Sequence, residues 1–151
     1  MQNPRSSVSA NTPQGGIIWI KLAVLYLIVG IGLGIAMGST QNFLLRPVHA
    51  HLNLLGWTTL ALAGIVYAIF PQLAASRLAK VHFCMHNVSL PVMMASLTLV
   101  LLGHTEVVPV LAVSEIVAAG GVLVFASNIF MNLKPAPAAA GLTQLSAKAI
   151  A

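Results

Sequence analysis

The residues able to do chemistry in this chain are few, and most are histidines. His49 and His51 open an apolar run in RPVHAHLNLLGW, residues 46–57, with one residue between them. His82 and His86 open another in KVHFCMHNVSLP, at i and i+4. His104 and Glu106 share a short polar stretch, while Cys84 and Glu115 stand alone in apolar sequence. Neutral imidazole is the commonest biological metal ligand, and a titratable side chain inside a membrane needs a partner or a function. An α-helix turns about 100° per residue, so His49 and His51 point about 200° apart, to nearly opposite sides of one helix. They do not share one ion as an i, i+4 pair does. Either each serves its own site, or one is a ligand and the other structural. Solvation of both by lipid headgroups is the plain alternative, since both lie within about one turn of the interface.

His82 and His86 face one side of their helix, which is acceptable metal-ligand geometry. Counting 1.5 Å per residue puts His51 about 28 Å from the inner end of its helix and His86 about 8 Å inside its own. The second pair therefore marks a separate, inner location, open to a metal, a heme or a quinone headgroup. The structural alternative is bonding to Asn87, Ser89 or carbonyls freed by Pro91. Cys84 points away from that pair and reads as a small core residue. His104 and Glu106 read as a solvated outer turn, or as the completion of a metal site near His49. Glu115, one to two turns inside its span, reads as a buried acid: a proton carrier, a histidine partner, or a carboxyl bonded to a backbone carbonyl.

The elements that must position these residues are membrane spans. The chain has 151 residues, 58% hydrophobic and 6% charged, too apolar for a soluble domain of this size and too poor in charge for a disordered one. Its net charge of +5 sets seven Lys/Arg against Glu106 and Glu115, and the basic residues are spread singly, so no patch for nucleic acid exists. With Cys84 the single cysteine, a disulfide within the chain and CxxC or CxxCH chemistry are excluded. Four apolar stretches, 16–37, 48–70, 81–102 and 107–133, reach the roughly 20 residues a helix needs to cross a bilayer. Short connections make them antiparallel neighbours. The expected fold is an all-α integral membrane protein of four transmembrane helices, flanked by a disordered segment 1–15 and a flexible tail 134–151. The first stretch exceeds the apolar core of about 7–15 residues in a signal peptide, so it reads as a retained helix. Arg5, Lys21, Arg77, Lys80, Lys134 and Lys148 flank one side and Arg46 the other, which places both termini in the cytoplasm. Gly30, Gly34 and Gly38, with Gly32 beside them, and Ala118, Ala119, Gly120 and Gly121 read as close-packing surfaces.

The segment HAHLNLLGWTTLALAGIVYAIFP reads H-x-H, twelve residues, G, five residues, F-P. It resembles the histidine-bearing tenth helix of heme–copper oxidase subunit I, on His49, His51, Gly64, Phe70 and Pro71. RPVHAHLNLLGW also resembles the second helix of the related nitric oxide reductases, whose R-x-x-H-x-N pattern falls on Arg46 and His49, or on His51 and Asn53. The likeness covers about 25 residues by motif and the other spans only in hydropathy. It implies heme b held by His49, His51 or both. Arg46 is then placed to pair with the heme propionates, or else is an interfacial arginine. Asn53 lies beside the ligands, and Trp57 packs on the porphyrin or between helices. The oxidases also need a copper centre with an adjacent His-His pair; this chain has no such dipeptide, so oxygen reduction to water by this chain alone is not expected.

Family subunits hold three similar four-helix arcs, so one arc implies a homo-oligomer, a homotrimer above all, with head-to-tail contacts that close a ring. The resemblance implies a bacterial-type inner (cytoplasmic) membrane, a lipid bilayer around the protein, and an unidentified redox partner. Two histidine ligands favour electron transfer, and one open position favours O2 or NO binding. The alternatives are a heme-based sensor or accessory subunit in respiration or denitrification, and a heme-free packing partner.

Overall fold

The computed structural model describes residues 14–134, all helical apart from connections. The expected flexible termini, with Arg5 and Lys148, lie outside the described residues apart from Gln14, Gly15 and Lys134. The first helix, α1, runs Gln14–Thr40, beginning inside the segment expected to be disordered. The second span is built in parts: α2 (Arg46–His51), a π-helical segment (Leu52–Thr59) and α3 (Leu60–Ile69). A short α4 (Pro71–Ala74) leads to α5 (Arg77–Leu101), and α6 (Val108–Asn132) closes the fold. Among the described residues, four helices are long and apolar enough to cross a membrane. Their outward residues, among them Leu25, Ile28, Ile35, Ile116 and Phe130, are exposed in the single chain. Apolar surface on this scale suits lipid or another subunit, not water.

Each break has a chemical cause. Phe70 leaves the helical region at φ −118°, ψ 81° before Pro71, which restricts the residue preceding it and starts α4. Ser76 caps α5, its Oγ accepting from the Ala79 amide at 3.0 Å. Gly103, at φ 101°, turns the chain after α5 where a side chain would be strained.

α1 lies along the second span, and α5 packs most densely against α6. Gly16 and Gly64 let α1 and α3 touch backbone to backbone: a Cβ at Gly64 would meet the Gly16 carbonyl at 3.0 Å. Ala118 and Gly121 seat α6 on α5, as expected for a small-residue face, whereas Ala119 points outward. Of the glycines on α1, Gly30 and Gly34 face the second span, and Gly32 and Gly38 face open space.

The π segment is a feature the apolar pattern did not reveal. A π-helix is wider than an α-helix and commonly marks a functional site. Here Thr58 and Thr59 donate their hydroxyls five residues back, to the Asn53 carbonyl at 3.0 Å and the Leu54 carbonyl at 2.8 Å. Gly56 sits mid-segment under the Tyr26 ring, where a Cβ would come within 2.6 Å of Cγ. Gly56→Ala should therefore destabilise the fold by about 1–3 kcal/mol through overpacking. Unfolding in detergent checks this, and an unchanged midpoint would show that the contact yields freely.

Candidate functional site

The two halves of the second span's histidine pair are held alike. His49 donates Nδ1–H to the Gly30 carbonyl across the α1 contact, at 2.9 Å. His51 donates Nδ1–H to the Pro47 carbonyl of its own helix, at 2.8 Å. A carbonyl only accepts, so both neutral rings carry their proton on Nδ1 and present Nε2 as a bare lone pair. Metal-ligating histidines are oriented in this way, by a backbone carbonyl on the other nitrogen. Both rings are half-buried, and both lie in the regular α2 turn, so the opposed directions read from the spacing persist.

Asn53 braces the first histidine. Its Nδ2 donates to the His49 carbonyl at 2.8 Å and lies 3.5 Å from His49 Nδ1. The longer approach is no bond, because Nδ1 spends its proton on Gly30 and has no lone pair left there. Gly30 and Gly34 make the room: a Cβ at Gly30 would lie 2.8 Å from Asn53 Nδ2, and one at Gly34 would lie 2.9 Å from His49 Cε1. Close packing of α1 on the second span thus serves the His49 and Asn53 side chains. Trp57 is half-buried against the apolar core. Arg46 is exposed, its guanidinium 5.3 Å from the Phe43 ring.

His82 and His86 are buried far more deeply, at 0% and 1% exposure. His82 shares a hydrogen bond between Nδ1 and the Tyr67 hydroxyl at 3.0 Å. Trp19 and Phe125 cover its ring, at centroid distances of 4.5 and 4.9 Å. His86 donates Nε2–H to the Leu55 carbonyl, inside the π segment, at 3.1 Å. Their partners therefore come from the second span. Asn87 and Ser89, expected as partners, turn instead to the Phe83 and His86 carbonyls. Leu55 is four residues beyond His51, about 6 Å along the axis, so His86 reaches within a turn or so of the first pair's level. His82, bonded to Tyr67 near the end of α3, lies at the end of the second span away from His49 and His51, where residue counts placed the pair, while His86 reaches up to the π segment.

Two further expectations fail on burial. Glu115 is exposed on α6, about 10 Å from the helix start, and Cys84 is exposed on α5. Both lie on faces that neither neighbouring helix covers. His104 and Glu106 are exposed and pair with each other at 3.1 Å. Among the described residues, no group of three or more His, Cys, Asp and Glu converges on one point. Sequence reasoning missed Trp19, Ser76 and Asn128, whose burial depends on partners in distant helices. Compared with protein-family models, curated proteins and solved structures, the chain matches none of them.

Proposed function

We propose that this chain is a small heme b-binding membrane protein that passes electrons or binds a diatomic gas, with His49 and His51 as axial ligands. The observation that carries the reading is the pinned Nδ1–H of both rings, on Gly30 and Pro47, which leaves two Nε2 lone pairs on opposite faces. The donor set fits iron: two neutral imidazoles, and Arg46 one turn earlier as a counterion for propionates. Asn53 fixes the His49 side of the helix, and Trp57 supplies an aromatic face nearby. Heme, when bound, supplies one-electron chemistry or an open position for a gas.

A homotrimer in a bacterial-type inner membrane, with cytoplasmic termini, belongs to the same proposal. Each subunit would offer His49 toward one neighbour and His51 toward the other. Two outward polar groups support an assembly. Glu115 lies well inside α6 yet faces out, which is costly against lipid and natural against protein. The half-buried histidines also present Nε2 where a single chain leaves them incompletely covered.

The test is a reduced-minus-oxidised spectrum with a pyridine hemochromogen count, for the wild type and for His49→Ala and His51→Ala. Low-spin b-type bands that disappear in both variants are expected, a loss of tenfold or more in bound heme. Loss in one variant alone refutes the paired ligation. No heme after expression with ample supply overturns the function. Binding of carbon monoxide by the reduced protein separates an open position from two histidine ligands.

A further inference from the structure

Independently of heme, the structure points to a second cofactor. We propose that His82 and His86 form a two-coordinate site for a soft monovalent cation, copper(I), bound through His82 Nε2 and His86 Nδ1. Those two nitrogens are fully buried and have no hydrogen-bond partner among the described residues. An orphaned buried polar atom is costly, and here two lie on neighbouring rings of one helix face. The rings stand edge to face, with centroids 5.6 Å apart.

The tautomers follow from the partners. His86 must carry its proton on Nε2, since Leu55 offers only a carbonyl, so Nδ1 is a lone pair. The Tyr67 hydroxyl can accept the His82 Nδ1 proton, which makes Nε2 a lone pair as well. Each ring is then oriented through its far nitrogen, as metal-bound imidazoles are.

The surroundings choose the ion. Trp19 lies against both rings and Phe125 against His82, and both acidic groups of the chain, Glu106 and Glu115, are exposed elsewhere. With no anionic ligand, a dication would be buried with its charge uncompensated. Zinc requires four donors, and the pair provides two. Copper(I) carries half that charge, accepts imidazole and tolerates low coordination. Trp19 and Tyr67, which both contact His82, also line a cleft of about 260 Å³ with Ala79, Lys80 and Phe83. Binding exchanges copper(I) from a soluble ligand to two neutral nitrogens, so no electron or proton is transferred.

The experiment is anaerobic titration of the purified full-length protein with copper(I), in competition with a chromophoric copper(I) chelator, followed by X-ray absorption at the copper edge. The wild type should bind about one ion per chain, with the pre-edge intensity of a linear two-coordinate site and imidazole scattering alone. His82→Gln and His86→Gln should each abolish it. Tyr67→Phe, which keeps both ligands and the ring packing, should weaken affinity about 10- to 100-fold. Substoichiometric uptake, sulfur in the first shell, or equal affinity for zinc would overturn the proposal. So would a wild type that takes up no copper, with the two nitrogens bonded only to an ordered water. The wild-type spectrum decides the matter even where a glutamine variant fails to fold.

Discussion

Gly34→Ala is expected to remove heme as completely as His49→Ala, although Gly34 is no ligand itself. The added methyl would lie 2.9 Å from His49 Cε1 and 3.4 Å from Nδ1. Real Cβ contacts are not that short, so the ring or the helix must move. The ring cannot swing freely, because its Nδ1–H is fixed to the Gly30 carbonyl at 2.9 Å. Displacing it breaks that bond, frees the tautomer and turns Nε2 away from any position it shares with a second ligand. Gly32→Ala and Gly38→Ala are the matched controls, since a Cβ at either meets nothing within 4 Å. Both should keep full heme and gain slightly in helix stability, by up to about 1 kcal/mol. Heme per chain by pyridine hemochromogen, with helicity by circular dichroism, makes the comparison. Full heme content in Gly34→Ala would rule out His49 as a ligand in the position seen here.

The largest effect on stability should come from Asn128→Ala. Asn128 is completely buried and joins three segments: Oδ1 accepts from Ser76 Oγ at 2.9 Å and from Asn132 Nδ2 at 2.8 Å, and Nδ2 donates to the Leu73 carbonyl at 3.1 Å. Its loss leaves the Ser76 hydroxyl proton and the Asn132 amide without that acceptor and takes one of two donors from the Leu73 carbonyl, which keeps the Ser76 amide, where α4 and the start of α5 meet α6. Hydrogen bonds inside membrane proteins average well under 1 kcal/mol, but buried groups left without partners cost about 1–3 kcal/mol each. A total of about 2–4 kcal/mol is expected in equilibrium unfolding from detergent. Ser127→Ala, which removes an exposed hydroxyl bonded to the Leu123 carbonyl, should change little. Equal effects of the two substitutions would mean that the Asn128 network holds nothing together.

What the sequence determined is what depends on composition and local spacing. Uninterrupted hydropathy sets four spans, because a backbone in lipid must satisfy its own hydrogen bonds. Helical pitch alone opposes His49 to His51, since both fall in one regular turn. Phe-Pro sets the end of the second span, through the restriction proline places on its neighbour. The tertiary structure decided everything that depends on which face meets which. Hydropathy could not orient Glu115 or Cys84, for a membrane helix is apolar all round and its polar exceptions carry no directional signal. Nor could it reveal that the Gly30 carbonyl, nineteen residues from His49, sets the tautomer of that ring. The partners of His82 and His86 lie on the second span, and the Leu55 carbonyl that receives His86 belongs to a π segment with no periodicity of its own. Spacing names the rings; only the packing of helices fixes which nitrogen of each is left free, and that is where the chemistry resides.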